Sequence, residues 1–537
     1  MKTLLISINA KYIHTNNAVR LLKANSDFDV DIFEYTIKDS LDKIIKDINS
    51  YHPDVLGFSI YIWNINIIKK ILKELALKGS NIIIGGPEVS YESSDFLLNY
   101  PVDFIIKGEG EIAFNALLHA LNSKSNYQNI SNLIFLKNNK ITHTPLLEIA
   151  DLDKLKLPYF FKEDIPHIPN KISYIETSRG CPFKCSYCLS SLEKKVRFFN
   201  MDKVKEVILY LMHHGSKTIK FLDRTFNANK KTLELFAFII KNNNHQTVFQ
   251  FEITGDILDR KIIDYLNENA PKGLFRFEIG IQSTNEETNL LVDRFQNNEK
   301  LFKNILLIQE GGIIDLHLDL IAGLPKEDLT SFKKTFNEVY NLGAKELQLG
   351  FLKMLKGTKI RREAAKYNYL YNLEAPYEII SNDSLSVADT KEIHLVEHML
   401  DLYHNKGYFG KNLHQYILVT NDPYHFFKTI GEFYLQNSYP FRGYQIEDVY
   451  RRLFDFIKKE AIIFNLKKDY LLRSKIKPKI FWENNIEKAK KRKLYEEIAK
   501  RNKLTINTLY KHAVIINYQT SYFIVLYHDF KNYYFNF

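Results

Sequence analysis

Short apolar runs alternate with stretches of helical periodicity over the first 121 positions. Thr3–Asn9 (TLLISIN), Asp29–Tyr35, Asp54–Tyr61 (DVLGFSIY), Asn81–Gly86 (NIIIGG) and Asp103–Gly108 (DFIIKG) read as buried strands. The intervening stretches Asn17–Asn25, Ser40–Asn49 and 65–78 read as helices, the last with Ile68, Ile71, Leu72 and Leu75 on one face. Glu111–Leu121 closes the series as a further helix. Five strands interleaved with helices predict a parallel, doubly wound sheet. Such sheets bind ligands beyond the carboxyl ends of their strands, near a switch in strand order.

The pattern then breaks. Residues 126–170 read as a connector after a first domain over 1–125, with a short hairpin at 133–144 turning on Lys137-Asn138-Asn139-Lys140. Pro158, Pro166 and Pro169 mark an irregular bridge. Alternation resumes with strands at Ile172–Thr177, Thr218–Asp223, Phe249–Thr254, Arg276–Ile281, Ile314–Ala322 and Glu346–Leu352. Six strand–helix units over 171–360 are two short of a full eight-fold barrel. Residues 361–537 are mostly helical in pattern, with a Lys/Arg-laden helix at Glu487–Arg501 and a hairpin at Ala513–Asn517 and Tyr522–Leu526. The fold class is therefore α/β, ending in an α+β region.

Length and composition add limits. The 537 residues suffice for two to four domains, and 45% apolar with 26% charged residues is ordinary for a globular protein. No apolar run reaches the roughly 20 residues that span a bilayer. The opening MKTLLISINAKY reads as a strand and not as a signal peptide, so the expected location is cytoplasmic, without membrane contact. The net charge of +11 is unevenly spread. Residues 451–537 hold 20 Lys and Arg against 8 Asp and Glu, while the rest hold 54 against 55. A basic tail fits either a solvated helix face or an acidic partner such as nucleic acid.

The chemistry lies in three cysteines, Cys181, Cys185 and Cys188, the only ones in the chain. An odd number confined to eight residues argues against a disulfide framework. Structural zinc would need a fourth ligand from one of the 16 histidines. An iron–sulfur cluster normally takes four thiolates, so three would leave one iron open.

CxxxCxxC directly after a strand, with Tyr187 before the last cysteine, resembles the radical S-adenosylmethionine (SAM) superfamily. The resemblance implies a partial (β/α)6 barrel and a [4Fe-4S] cluster whose open iron is chelated by SAM. It further implies SAM cleavage to a 5′-deoxyadenosyl radical, with an electron donor such as flavodoxin or ferredoxin. It assigns SAM contacts to Tyr187, Asp223, Arg224, Thr225, Glu252, Gln282, Ser283, Gly323 and Leu352, all but the first at or near strand ends. Many members have Gly-Gly-Glu where this chain has Asp223-Arg224-Thr225.

The strand ends of the first domain, upstream of such a motif, resemble the cobalamin-binding domain of cobalamin-dependent radical SAM enzymes. The residues concerned are Asn9, Tyr12, His14, Ser59, Trp63, Gly85, Gly86, Gly108 and Glu109. The DxHxxG motif that supplies a cobalt-ligating histidine in some cobalamin proteins is absent, so cobalamin is expected without histidine ligation. The resemblance implies methylation of an unactivated carbon, with the substrate unidentified. Cyclisation or rearrangement, a cobalamin-free enzyme acting on RNA, and a non-catalytic iron–sulfur sensor stand as alternatives. Mechanisms needing a second cysteine-ligated cluster or a methyl-carrying cysteine are excluded by the cysteine count.

Overall fold

The computed structural model describes residues 1–77, 79–193, 195–243, 245–528 and 530–536. Its first sheet contains Thr3–Asn9 (β1), Val30–Thr36 (β2), Val55–Ser59 (β3), Asn81–Gly85 (β4), Phe104–Ile106 (β5), Leu133–Lys137 (β6) and Lys140–His143 (β7). The strand order is β2-β1-β3-β4-β5-β6-β7. The first five strands run parallel, as the alternation predicts. Every residue of β1 is buried, which suits a central strand covered by helices on both faces. The helix Asn17–Ala24 starts where the Asn16 side chain accepts from the Val19 amide, and Leu41–Tyr51 starts on a similar cap from Ser40.

One placement corrects the sequence reading. The hairpin at 133–144 is not part of a free connector. β6 pairs antiparallel with β5, setting Phe104 opposite Phe135, and so extends the sheet. Leu133, Ile134 and Phe135 are buried there, a partnership that local turn chemistry could not reveal.

The second sheet contains Ser173–Ile175 (β8), Thr218–Phe221 (β11), Val248–Ile253 (β12), Phe275–Gln282 (β13), Asp315–Ala322 (β14) and Glu346–Phe351 (β15). Between β8 and β11 lies a small antiparallel ribbon of Ser178–Arg179 (β9) and Arg197–Phe198 (β10). The order is β15-β14-β13-β12-β11-β8, with β8 and β15 at opposite edges, so the barrel stays open. Strands β12, β13 and β14 alternate fully buried apolar residues with half-buried polar ones. The buried set packs an aromatic cluster of Phe221, Phe226, Phe236, Phe251, Phe275 and Phe277. A short ribbon of Leu370–Tyr371 (β16) and Ile379–Ser381 (β17) follows.

Residues 1–332, 342–345 and 350–387 form one compact unit, and 333–341, 346–349 and 388–537 a second. The second is mainly helical, with Tyr424, Tyr434, Tyr450 and Tyr495 fully buried. Its end carries the basic helix Lys488–Asn502 and a three-stranded antiparallel sheet of Ala513–Tyr518 (β18), Ser521–Leu526 (β19) and Lys531–Asn536 (β20). The third strand escaped the sequence reading because only Phe535 of its six residues is buried. Among the described residues no helix is long and apolar enough to cross a membrane.

Candidate active site

The cysteine loop leaves β9 and returns through β10, whose antiparallel register sets Arg197 opposite Arg179 and Phe198 opposite Ser178. Gly180 opens the loop at φ +92°, where a Cβ would overlap the Lys195 carbonyl oxygen. Only glycine fits that turn. All three cysteines are free, with Cys185 buried and the other two partly open. Among the described residues no three His, Cys, Asp or Glu side chains converge on a single-ion site. Three thiolates on one loop, each free for a different iron, suit a cluster.

Polar groups surround the thiols. The Thr225 hydroxyl lies 3.5 Å from Cys181 Sγ. Arg294 Nη1 lies 4.0 Å from Cys185 Sγ and 3.4 Å from the Tyr187 hydroxyl, and its other Nη donates to the Gly280 carbonyl. Burial pushes the Cys185 thiol up and the Arg294 charge pulls it back, leaving it raised. Burial likewise raises Tyr187, which keeps a neutral phenol beside the thiols. Arg294 went unnoticed in the sequence because it follows a short helix and does not stand at a strand end.

The strand ends hold the other expected SAM contacts in two groups. Arg224 is exposed and lies 3.9 Å from Glu252, which is raised chiefly by burial and further by Glu278 and Asp319. Gln282 adopts φ 68° and its Oε1 is buried without a hydrogen-bond partner. Gly323 adopts φ +90°, and Leu352 is buried beside it with its amide on the Ala322 carbonyl. Thr225 and Tyr187 face the cysteines as described.

Asp223 and Ser283 are placed differently from their expected role. The Asp223 carboxylate accepts from the Thr177 amide (2.9 Å) and from the hydroxyls of Thr177 and Ser178. It is 1% exposed, and burial raises it to about 6. Ser283 is fully buried and donates to Glu327. Both side chains are spent inside the protein, so they support the strand ends without facing a ligand.

Between the strand ends and the floor, the half-buried polar residues pair across strands. Lys220 bonds Glu278 at 2.6 Å, Arg276 meets His317 at 2.6 Å, and His317 lies 3.1 Å from Asp319.

The first sheet brings its own strand ends to this region. Ile172 donates to the Ile13 carbonyl, and His14 bridges Ile172 in parallel, so the loop after β1 lies against the start of β8. His14 Nδ1 lies 2.7 Å from the hydroxyl of Tyr174 on β8. Burial, with the charges of Lys11 and Lys220, lowers His14 and favours the neutral ring. Asn9 holds the His14 carbonyl, and Ser59 accepts from Asn16. Trp63 stacks on Tyr61 at 4.4 Å while its indole nitrogen donates to the Ile8 carbonyl. Tyr12, Ile13 and Trp63 remain 43–59% exposed where β1 and β3 diverge. That divergence is the switch in strand order, and exposed apolar rings there suit a large planar ligand.

Of the glycines, Gly86 at φ +113° passes so close to Ile60 that no side chain fits. Gly85 ends β4, and the Gly108 amide donates to Ser90. Glu109 is bound elsewhere: it pairs with Arg179 and Arg197 of the cysteine ribbon.

Comparison with known proteins decides the family. Residues 4–118 match the B12 binding domain, 175–339 the radical SAM superfamily, and 365–534 a protein family of unknown function, DUF4080. The chain carries a B12-binding domain followed by a radical SAM domain. It is 24% identical over 361 residues to an uncharacterized methyltransferase, PH0819, of Pyrococcus horikoshii, spanning 64% of this chain and 77% of that protein. It is 22% identical over 331 residues to the cobalamin-dependent radical SAM methyltransferase TokK of Streptomyces tokunonensis, spanning 55% of this chain and 46% of TokK. The structure of the cobalamin-dependent S-adenosylmethionine radical enzyme OxsB, with aqua-cobalamin and S-adenosylmethionine bound, superposes with a TM-score of 0.63. That match covers 88% of this chain and 80% of OxsB at 15% identity, a likeness of fold.

Proposed function

We propose that this radical SAM protein is a cobalamin-dependent enzyme that methylates an unactivated carbon. The observation that carries the reading is the contact between the thiol loop and the first sheet. The loop holding every thiol of the chain lies at the carboxyl end of β8, and its base is ion-paired to Glu109, just after β5, through Arg179 at 3.1 Å and Arg197 at 2.8 Å. When bound, the cluster supplies the electron that splits SAM to methionine and the 5′-deoxyadenosyl radical, and cobalamin supplies the methyl group.

The residues of the chain then have separable tasks. Cys181, Cys185 and Cys188 would hold the cluster. Gln282 offers a buried acceptor to a ligand donor, while Gly323 is packed against Ile379 and shapes the end of β14. Tyr12, Ile13 and Trp63 would cover the corrin face and exclude water from the radical. His14 bonds Tyr174 through Nδ1, and without the DxHxxG spacing of a cobalt-ligating histidine cobalamin would bind free of histidine ligation. A flavodoxin- or ferredoxin-type donor would deliver the electron.

Anaerobic reconstitution with iron, sulfide and cobalamin tests the reading. Roughly four irons per chain, a reducible EPR-active cluster and release of 5′-deoxyadenosine are expected. Iron retained by the Cys181→Ala, Cys185→Ala, Cys188→Ala triple variant would overturn it. Product mass separates the chemistries, because methylation adds one methyl group and cyclisation or rearrangement does not.

The basic helix favours a second arm of the substrate question. Lys488, Arg492, Lys493, Lys500 and Lys503 are exposed, and Tyr510 is 46% exposed nearby in sequence. Cations beside an exposed ring are the makings of a single-stranded nucleic acid surface. RNA binding that weakens with salt and disappears on deleting 487–537 would support an RNA substrate. No binding at low salt would discard it.

A further inference from the structure

Both ends of the cysteine loop are tied to one carboxylate of the B12-binding domain. Arg179, two residues before Cys181, places Nη1 3.1 Å from Glu109 Oε1 and Nη2 2.6 Å from Glu111 Oε1. Arg197, nine residues after Cys188 in the sequence, places Nη1 3.0 and 2.8 Å from the two oxygens of Glu109. The Ile149 amide donates to Glu109 Oε2 at 2.6 Å. Arg197 also donates to the Ile149 carbonyl at 2.8 Å, and Arg179 to Glu176 at 3.0 Å.

A carboxylate offers about four acceptor positions. Glu109 receives four hydrogen bonds on its two oxygens, so it has none left for a corrin side chain. Burial alone would raise its pKa. The bonds from Arg197 and Ile149 and the charge of Arg179 outweigh burial and hold it below the usual range, ionised and rigid. Arg179, Arg197 and Glu109 keep only 10%, 10% and 16% of their side-chain surface open. Arg197 meets both oxygens of Glu109 through Nη1 alone, whereas Arg179 spreads its two Nη atoms over Glu109, Glu111 and Glu176. That planar fork fixes angle as well as distance, which a lysine would not. Since Arg179 and Arg197 face each other in the ribbon, fixing both fixes the base of the thiol loop.

We propose that Glu109 and Glu111 are positioning residues for the cluster loop, acting through Arg179 and Arg197. The end of β5 in the B12-binding domain thereby sets the orientation of the three thiolates at the mouth of the barrel. The inference rests on the cluster reading above and deepens it, because it makes one cofactor domain a structural part of the other's site.

The test uses the full-length chain, reconstituted with iron and sulfide, as wild type, Glu109→Gln and Arg179→Lys. Iron content, the EPR spectrum of the reduced cluster with and without SAM, cobalamin retention and 5′-deoxyadenosine formation are measured on each. Glu109→Gln should keep its iron and cobalamin, change the EPR response to SAM, and slow SAM cleavage about tenfold or more. Arg179→Lys, which keeps the charge but loses the fork across Glu109 and Glu111, should change the same spectrum, and it decides the matter should Glu109→Gln fail to fold. Two results overturn the proposal: wild-type spectra and cleavage in both variants, or loss of cobalamin from Glu109→Gln with an unaltered cluster. A wild-type chain that takes up no iron would instead sink the cluster reading, so the two failures are distinct.

Discussion

The Asp223 carboxylate takes the Thr177 backbone amide at 2.9 Å and the Thr177 hydroxyl as well, pinning the chain where β8 passes into the thiol ribbon. Burial raises this acid from 3.8 to about 6 despite three donors. An acid with a folded pKa above its unfolded value contributes stability that is complete below about pH 4 and lost as pH rises to about 6. Asp223→Asn removes that dependence. The stability difference between wild type and Asp223→Asn should therefore move against wild type by about 3 kcal/mol across that window. Urea unfolding of the metal-free chains at pH 4, 5, 6 and 7 checks it, and a pH-independent difference would refute the assignment.

His14 tests the cobalamin reading from the other side. Its Nδ1 is 2.7 Å from the Tyr174 hydroxyl, and its ring is held neutral by burial and two nearby lysines. If this contact, and not cobalt, is its partner, His14→Gln should retain bound cobalamin. The EPR spectrum of the cob(II)alamin form should show no nitrogen splitting in either chain. Splitting in wild type that vanishes in His14→Gln would make His14 a ligand after all.

Much of this was legible in the chain because period and spacing are local properties. The strands Thr3–Asn9 and Asn81–Gly85 were visible as short apolar-rich runs, and CxxxCxxC stood out because no other cysteine competes with it. What stayed hidden depends on partners distant in sequence. Nothing near Glu109 announces that Arg179 and Arg197, 70 and 88 positions away, will consume it. Asp223 and Ser283 stand at strand ends as ligand contacts would, yet they turn into the protein toward Thr177 and Glu327. Position along a strand identifies the rim of a site, while the direction of each side chain is decided by packing.

Gly180 should be intolerant of any side chain. Its φ of +92° is costly for an L-residue, and the Lys195 carbonyl already occupies the place of a Cβ. Gly180→Ala should fold, since the strain is confined to the ribbon, but reconstitute with less than half the wild-type iron. Iron per chain and circular dichroism separate the two effects. Full iron uptake would show that the loop can relax.

Arg294 should tune the redox potential of the cluster. Its guanidinium lies 4.0 Å from Cys185 Sγ and is fixed by the Gly280 carbonyl and, at 2.8 Å, by Gln296. Reduction adds negative charge at the thiolates, so a buried cation beside them favours the reduced state. Arg294→Met retains bulk and removes the charge, and it should lower the midpoint potential, making the electron harder to add. A shift on the order of 60 mV corresponds to a tenfold change for a one-electron couple. EPR-monitored titration of the reconstituted cluster reads that shift directly. Arg294→Lys keeps a charge on a shorter reach, so its potential should fall between those of wild type and Arg294→Met. An unchanged or higher potential in Arg294→Met would remove Arg294 from the electrostatics of the cluster and leave it a strut between Tyr187 and β13.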